Sequence, residues 1–574
     1  MTQFEDILKS VGPFGRSQQI QYICIFIATG ASAFFQMGNT FYSASADHYC
    51  RTYKNQTYET NSKLKNCTIP YSYSESEWEQ CERYDVNVSQ GCFSRDLFPR
   101  SGTTDCDGEW VYDDHWYENT VVFEFDLVCD RDWMKQLSKS IVPLGNLVGV
   151  IIFGQISDIY GRKIVYVICL LSTIVVAIAA AFSPTYYFFL VCQFLLGAFP
   201  HSLYITGNVM VMEIVGFKYR TILSSLIHVS FSSFYALFGI IAYGLSGNWR
   251  KIQLFSGLIC ILFIPSIWLV TESAMWLIQK SKYAKATKVL NKWAKINKTK
   301  VPDNLFKEEK EMTEKIKSVK EIEEKPKKYT AVDIFKTPNL RTSAVLMSFN
   351  CFVYYGISMN TDQIGENPYI TFFIAAAVEI PGSVLGWLLM RTFGRRWALC
   401  STTVVGGLCL IISVPPENVN VSVTLAMIAK MCIAGTFTIV YVYALELYPT
   451  TVRNAGMGVS SMCARVGSIV SPYVFLLADI WEPAPYIIMG ATSVVAGFLA
   501  LFIPETRNHR LPETIEDGRT FGKKSYREEN SERAEKNVRS ISVQVDIDVA
   551  ENVNTVDGFD KDIHPTASGL VNEA

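Results

Sequence analysis

The sequence predicts an all-α polytopic membrane protein, with twelve transmembrane helices in two six-helix repeats and a disulfide-tied ectodomain between the first and second spans. Three observations carry this. The 574-residue chain is 49% apolar and 18% charged, against about 25% charge in soluble globular proteins. Its apolar residues gather into runs of about 20, the length that crosses a bilayer as a helix. The second half repeats the first at a constant offset of 233 residues: Gly161-Arg162-Lys163 recurs as Gly394-Arg395-Arg396, Glu213 and Arg220 as Glu446 and Arg453, and Glu272 as Glu505. Two equal halves in the same sequence direction match a carrier built from parallel repeats. A soluble tandem duplication would not place such apolar segments between the matching sites.

The expected organisation runs in order. A cytoplasmic N-terminus covers 1–19 and the first span 20–42. The ectodomain covers 43–137. Spans two to six fall within 138–270, centred on 138–157, 164–183, 186–212, 222–246 and 251–270. A cytoplasmic loop between the repeats covers 271–341. Spans seven to twelve fall within 342–503, on 342–361, 369–390, 397–414, 423–445, 455–477 and 484–503. A polar tail, expected to be mostly disordered, covers 504–574. The first apolar run lacks a basic leader and a small-residue cleavage site, so it is read as a retained helix.

Basic residues set the orientation. Arg162, Lys163, Lys218, Arg220, Arg391, Arg395, Arg396 and Arg453 all fall in the even-numbered connections, which places these and both termini in the cytoplasm. Cysteines give an independent check. Cys50, Cys67, Cys81, Cys92, Cys106 and Cys129 lie in the one long loop expected outside. Three disulfides are expected there, with the pairing left open. The same loop holds glycan acceptors at Asn55, Asn66 and Asn87. The sequon at Asn297 lies in the cytoplasmic loop and should stay bare. In that loop Ala286, Val289, Leu290, Trp293 and Ile296 form one apolar stripe at helical spacing. Its lysines suit anionic lipid rather than nucleic acid. In the tail, Arg539-Ser540 is a weak kinase-site pattern.

After the second span the chain reads Gly154-x3-Asp158-x2-Gly161-Arg162-Lys163. The Asp158 carboxylate can pair with basic groups across a helix interface and latch one conformation. In the second half Arg391 replaces Asp158 and Trp387 replaces Gly154, so the latch is degenerate there. Asp158, Arg162, Glu213, Arg220, Glu446 and Arg453 are the candidate gating residues; orientation by positive charge alone explains part of the motif.

The chain resembles the organic cation, carnitine and organic anion transporters of the major facilitator superfamily, and most of all the carnitine/cation branch and invertebrate organic cation transporters. The resemblance rests on Asp6-Ile7-Leu8, Gly12-x-Phe14-Gly15-x2-Gln18 and the six-cysteine loop. It continues through Glu272-Ser273-x2-Trp276-Leu277, Glu446-Leu447-Tyr448-Pro449-Thr450-x-Val452-Arg453-Asn454 and Pro504-Glu505-Thr506. It implies a secondary carrier. The glycine-lysine nucleotide motif found in part of that branch does not occur, and neither a cofactor nor a metal is expected. Coupling to sodium or protons is open.

Ionisable residues deep in a span cost about 2.5–3.5 kcal/mol on insertion scales and mark function by default. Glu379 lies before Pro381 in the eighth span, and Arg465 lies in the eleventh. Two readings stand: the two form a structural ion pair, or each faces the cavity and binds an opposite charge on the substrate. Lys430, nearer the outer end of the tenth span, is expected to snorkel. The resemblance implies that cation carriers hold aspartate where Arg465 stands, and that anion and carnitine-type carriers hold arginine. Both charges together suit a zwitterion, with Arg465 on a carboxylate and Glu379 on an ammonium. Tyr204, Phe231 and Tyr354 match substrate-contact positions by the same resemblance, and His228 and Met347 match further lining positions with altered side chains. Aromatic faces hold ammonium groups well.

The expected function is thus a plasma-membrane carrier for small organic cations or zwitterions, working by alternating access, with lipid and a small substrate as partners and no nucleic acid. An organic anion exchanger is the near alternative, and a receptor-like protein without transport is the distant one. No constellation supports an enzyme.

Overall fold

A computed structural model describes residues 2–52, 56–58, 65, 68–72, 77–84, 102–301, 338–361, 364–414, 418–449, 453–507 and 521. The expectations at Asn55, Asn66, Asn87, Cys67 and Cys92, and those for the tail beyond 507, lie outside them.

The molecule is a helix bundle. Helix α1 covers Thr2–Val11. The first half follows with α2 (Arg16–Tyr42), α3 (Asp132–Tyr160), α4 (Arg162–Ala181), α5 (Tyr186–Ile214), α6 (Phe217–Gly244) and α7 (Trp249–Ile261). Helix α8 (Tyr283–Asn297) lies between the halves. The second half is α9 (Pro338–Met359), α10 (Pro368–Phe393), α11 (Arg395–Ile412), α12 (Val419–Leu447), α13 (Arg453–Val470) and α14 (Ala484–Ala500). Ten helices among the described residues are long and apolar enough to cross a membrane, and Ala484–Ala500 is a shorter apolar one. With α9, twelve helices among the described residues overlap the twelve expected runs.

Local chemistry sets the boundaries. Thr185, Asn248, Asn367 and Asn418 cap α5, α7, α10 and α12 by accepting from backbone N–H groups of the first turn. Small residues bring helices close. A Cβ on Gly145 or Gly149 would strike the α5 backbone, and one on Gly382 or Gly386 the α12 backbone. Large apolar side chains such as Val175, Ile240 and Phe498 remain more than half exposed on the outside of the bundle, as a lipid-facing surface requires.

Helix α3 begins at Asp132, earlier than the hydropathy reading places it, and so includes Lys135. Lys139 is fully buried and donates to Asn360 Oδ1 at 2.7 Å. The amphipathic stripe forms α8. Ala286, Leu290 and Trp293 are buried, whereas Ile296 is 38% exposed. Asn297 at the end of α8 has its amide fully engaged: it donates to Val11 O at 3.0 Å and Gln18 Oε1 at 2.9 Å and accepts from Ser17 N at 2.8 Å. The N-terminal Gly-x-Phe-Gly-x2-Gln motif is therefore the seat of α8.

Among the described residues, the segment between α2 and α3 holds three two-stranded antiparallel ribbons, including His48–Cys50 with Trp110–Tyr112. Disulfides join Cys50 to Cys106 and Cys81 to Cys129. His48, Cys81 and Cys129 lie close enough to hold a metal, but the two sulfurs are bonded to each other and are not available as thiolates. Peptide mapping without reduction should recover these two cross-linked pairs; recovery of any of the four cysteines with another partner would contradict this arrangement.

Candidate functional site

The halves meet at mid-depth and at the end nearest the disulfide-tied segment. There Ser140 Oγ on α3 donates to Ile469 O on α13 at 2.8 Å, and Tyr369 OH on α10 donates to Trp116 O at 2.6 Å. Phe41 of α2 packs on Phe372 of α10 with ring centroids 4.6 Å apart. Beneath this closure lie two charged clusters, organised by consecutive residues of α9, Tyr354 and Tyr355.

The first cluster is centred on Glu379. Pro381 cannot donate a helical hydrogen bond, and α10 breaks at Val378, so Glu379 opens a new helical segment. Its carboxylate accepts from Tyr354 OH at 2.6 Å and from Ser232 Oγ, on the other half, at 2.9 Å. Lys430 Nζ lies 3.0 Å from it. The same ammonium bonds Ser358 Oγ and stands 3.7 Å from the centre of the Tyr354 ring. Glu379 is 4% exposed and Lys430 0%. Two expectations are corrected here. Lys430 does not snorkel: counting residues gives depth along a helix but not the face, and this face of α12 points inward. Glu379 is paired with Lys430, not with Arg465.

The second cluster is centred on Arg465 of α13, 4% exposed. Its Nη1 donates to Tyr355 OH at 3.1 Å, and Nη2 meets His201 Nε2 at 2.8 Å. Gln36 of α2 bridges His201 and Tyr355, at 3.1 and 3.2 Å. Among the described residues, the Arg465 Nε is buried without a partner. No described carboxylate pairs with this guanidinium. The first cluster is neutral, and the second carries one uncompensated positive charge.

Aromatics join the two. The Tyr204 ring stacks near His201, centroids 6.1 Å apart, meets Phe231 edge-on at 6.0 Å, and its hydroxyl bonds His228 Nδ1 at 2.8 Å. His228 sits deep in the bundle yet is solvent-accessible, so an opening reaches this wall. Tyr354 and Tyr355 meet edge-on at 5.2 Å. Of the sequence candidates, Tyr204, Phe231, His228, Tyr354, Glu379 and Arg465 thus belong to the two clusters, whereas Met347 is 1% exposed within the core. The sequence reading missed His201, Gln36, Tyr355 and Ser232. His201 had a signal: it is ionisable and lies within an apolar run.

The basic end repeats in three dimensions. Arg162 Nη2 lies 3.3 Å from Glu213, and Arg395 binds Glu446 through Nε and Nη2 at 2.9 and 2.7 Å. The backbone N–H groups of Arg162 and Lys163 donate to Glu272, and those of Arg395 and Arg396 to Glu505. Gly161 and Gly394 make the turns at φ +126° and +89°, and a Cβ on either would strike the bound glutamate. Burial opposes ionisation of Glu505, but four backbone donors hold its carboxyl below the usual range. Asp158 pairs with Arg162 inside the first half. Glu213 pairs with Arg162, while Arg220 donates to Val215 O at 3.2 Å. The degenerate second copy has Arg391 over the Trp387 ring at 5.8 Å. The Arg453 side chain lies outside the described residues.

Residues 24–517 match the family model for sugar (and other) transporters. The fold is that of the major facilitator superfamily: the xylose transporter XylE of E. coli, in an inward-open conformation, superposes with a TM-score of 0.55 over 88% of this chain and all of its own, at 14% identity. The chain belongs to the organic cation, carnitine and organic anion transporter family. It is 35% identical to the organic cation transporter protein of Drosophila melanogaster, over 92% of this chain and 97% of that protein. It is 32% identical to rat solute carrier family 22 member 3, over 91% and 96%. The carcinine transporter of Drosophila melanogaster is 29% identical, over 90% and 79%. The chain is a multi-pass membrane transporter and not an enzyme.

Removing one partner of a buried ion pair costs about 3–5 kcal/mol, whereas an apolar replacement of both is often neutral. Glu379→Gln should therefore lower the unfolding temperature of the purified protein in detergent, and adding Lys430→Met should restore most of it. Additive losses in the double variant would show that the two side chains do not act as a pair.

Proposed function

We propose that this protein is a plasma-membrane secondary carrier for small zwitterions that pair an ammonium with a carboxylate, of which carnitine is the type. The observation that carries the reading is the split of charge between the two clusters. Arg465 is a buried guanidinium without a carboxylate partner among the described residues, and an uncompensated buried charge is strongly unfavourable. A substrate carboxylate supplies the missing charge, in the fork geometry that arginine favours.

The ammonium end of the reading comes from Lys430. Its Nζ occupies the arrangement that a substrate cation needs, a carboxylate at 3.0 Å and a tyrosine face at 3.7 Å. Lys430 thus stands in for the substrate when the site is empty. An arriving ammonium takes Glu379 and Tyr354, and Lys430 withdraws. Tyr204, Phe231 and His228 form the approach wall, and Met347 supports it from the core. Exchange between two rocking halves carries the site from one side to the other. The paired glutamates 213 and 446, with Arg162, Arg395 and Asp158, hold the basic end, and Arg220 and Arg453 complete its charge. Both termini lie in the cytoplasm. In this reading Asn55, Asn66 and Asn87 carry glycans outside.

Simple organic cations are the second reading, favoured by the names of the relatives above. They would bind at Glu379 and leave Arg465 with its internal partners. An organic anion exchanger fits less well, because Lys430 is committed to Glu379.

Labelled carnitine and labelled tetraethylammonium, compared in expressing cells with sodium present and replaced, separate these readings. Carnitine uptake is expected to exceed tetraethylammonium uptake, and sodium replacement tests the coupling ion. Arg465→Asp should reverse the preference toward tetraethylammonium, by roughly tenfold or more for loss of one charge-assisted pair. Tetraethylammonium uptake without carnitine uptake, or an unchanged preference at normal surface expression, would contradict the zwitterion reading.

A further inference from the structure

His201 and Arg465 meet in a way that fixes where protons lie. A guanidinium only donates hydrogen bonds, and Arg465 Nη2 is 2.8 Å from His201 Nε2. That nitrogen must present its lone pair, so the ring is neutral with its proton on Nδ1. Nδ1 faces the Gln36 amide at 3.1 Å. The amide is placed with its nitrogen toward His201 and its oxygen accepting from Tyr355 OH; a proton on Nδ1 makes that a donor–donor contact, so we assign the flipped amide, oxygen toward His201 and nitrogen toward Tyr355 OH. Tyr355 OH then accepts from both Gln36 and Arg465. Among the described residues the Arg465 Nε stays buried and unpartnered. The cluster is built to be completed by an acceptor.

We propose that His201 is the proton-binding partner of Arg465 in a carboxylate subsite, so that each carboxylate-bearing substrate travels with one proton. The proposal rests on the zwitterion reading and adds its coupling ion. A carboxylate oxygen takes the Nη2 donor, which frees the lone pair of His201 Nε2. A hydronium ion delivers a proton there, forming one N–H bond and leaving water; no bond in the protein breaks. The imidazolium donates to the second carboxylate oxygen while Nδ1–H stays on Gln36. The carboxylate adds one negative charge and the proton one positive charge, so this cluster has the same net charge loaded as empty.

The surroundings fit this role. The charged group facing His201 is Arg465 of α13, whose Nη2 donor holds Nε2 as an acceptor. Tyr355 and Cys351 of α9 lie beside Arg465. On its own helix Tyr204 stacks on the ring, and His228 of α6 is reached only through Tyr204. On α3, which packs against α5, the Lys139 ammonium bonds Asn360. Glu379 is compensated by Lys430 in the other cluster. No described carboxylate competes for the proton, so the substrate's own carboxylate drives its uptake.

The test uses the purified full chain in proteoliposomes with a pH-sensitive dye in the lumen and no sodium. Addition of carnitine should acidify the lumen by about one proton per molecule taken up. Above the titration of His201, carnitine uptake should fall by about tenfold per pH unit, as a single linked proton requires. Tetraethylammonium, which has no carboxylate, should enter without acidification. His201→Gln keeps an amide acceptor but cannot titrate, and should remove both the acidification and the pH slope of carnitine uptake. Carnitine entry with no change in lumenal pH in the wild-type protein would overturn the proposal and leave the zwitterion reading standing. Tetraethylammonium entry without carnitine entry would overturn both.

Discussion

The ion pair between Lys430 and Glu379 is the constraint on which the centre of this molecule depends. Two full charges sit at mid-depth, one wholly and one almost wholly buried, and neither is tolerable alone. Their pairing requires α12 to turn Lys430 inward, α10 to break before Pro381, and α9 to bring Tyr354 and Ser358 to the same point. Ser232 ties the pair to the first half. The interaction that stabilises the centre thus also joins the two repeats.

The second organising constraint is the duplicated basic end. Glu272 and Glu505 each gather backbone N–H groups from a glycine turn and the following helix start. A carboxylate at a helix N-terminus is favoured by the orphan donors and by the helix dipole. The arginine that follows each turn then reaches Glu213 or Glu446. Each half is thereby braced by its own charges at this end, while the contacts between halves concentrate at mid-depth and near the disulfide-tied segment. Halves braced internally and joined at one end suit the rocking proposed above.

Much of the fold was legible because hydropathy and the offset of 233 residues act over long stretches. Glycine at 161 and 394 was readable as a turn, and glutamate at 272 and 505 as the end of an apolar run. The wiring was not. Glu213 and Arg220 recur together in the sequence, but the partner of Glu213 is Arg162, from another helix. Lys430 looked peripheral because residue counting gives depth and not direction. His201 and Tyr355 were passed over because a histidine or tyrosine in an apolar run reads as packing. Only the fold brings His201 of α5 against Arg465 of α13. The start of α3 was placed late because Asp132 and Lys135 depress local hydropathy, although the two pair with each other one turn apart.

The central claim is that Lys430 holds the place of a substrate ammonium and yields it. An experimental structure of the protein with carnitine bound tests this most directly. The account predicts the trimethylammonium group against Glu379 and Tyr354, the carboxylate on Arg465, and Lys430 withdrawn from the carboxylate it occupies in the empty site. Carnitine seated elsewhere, with the Lys430–Glu379 pair intact, would contradict it.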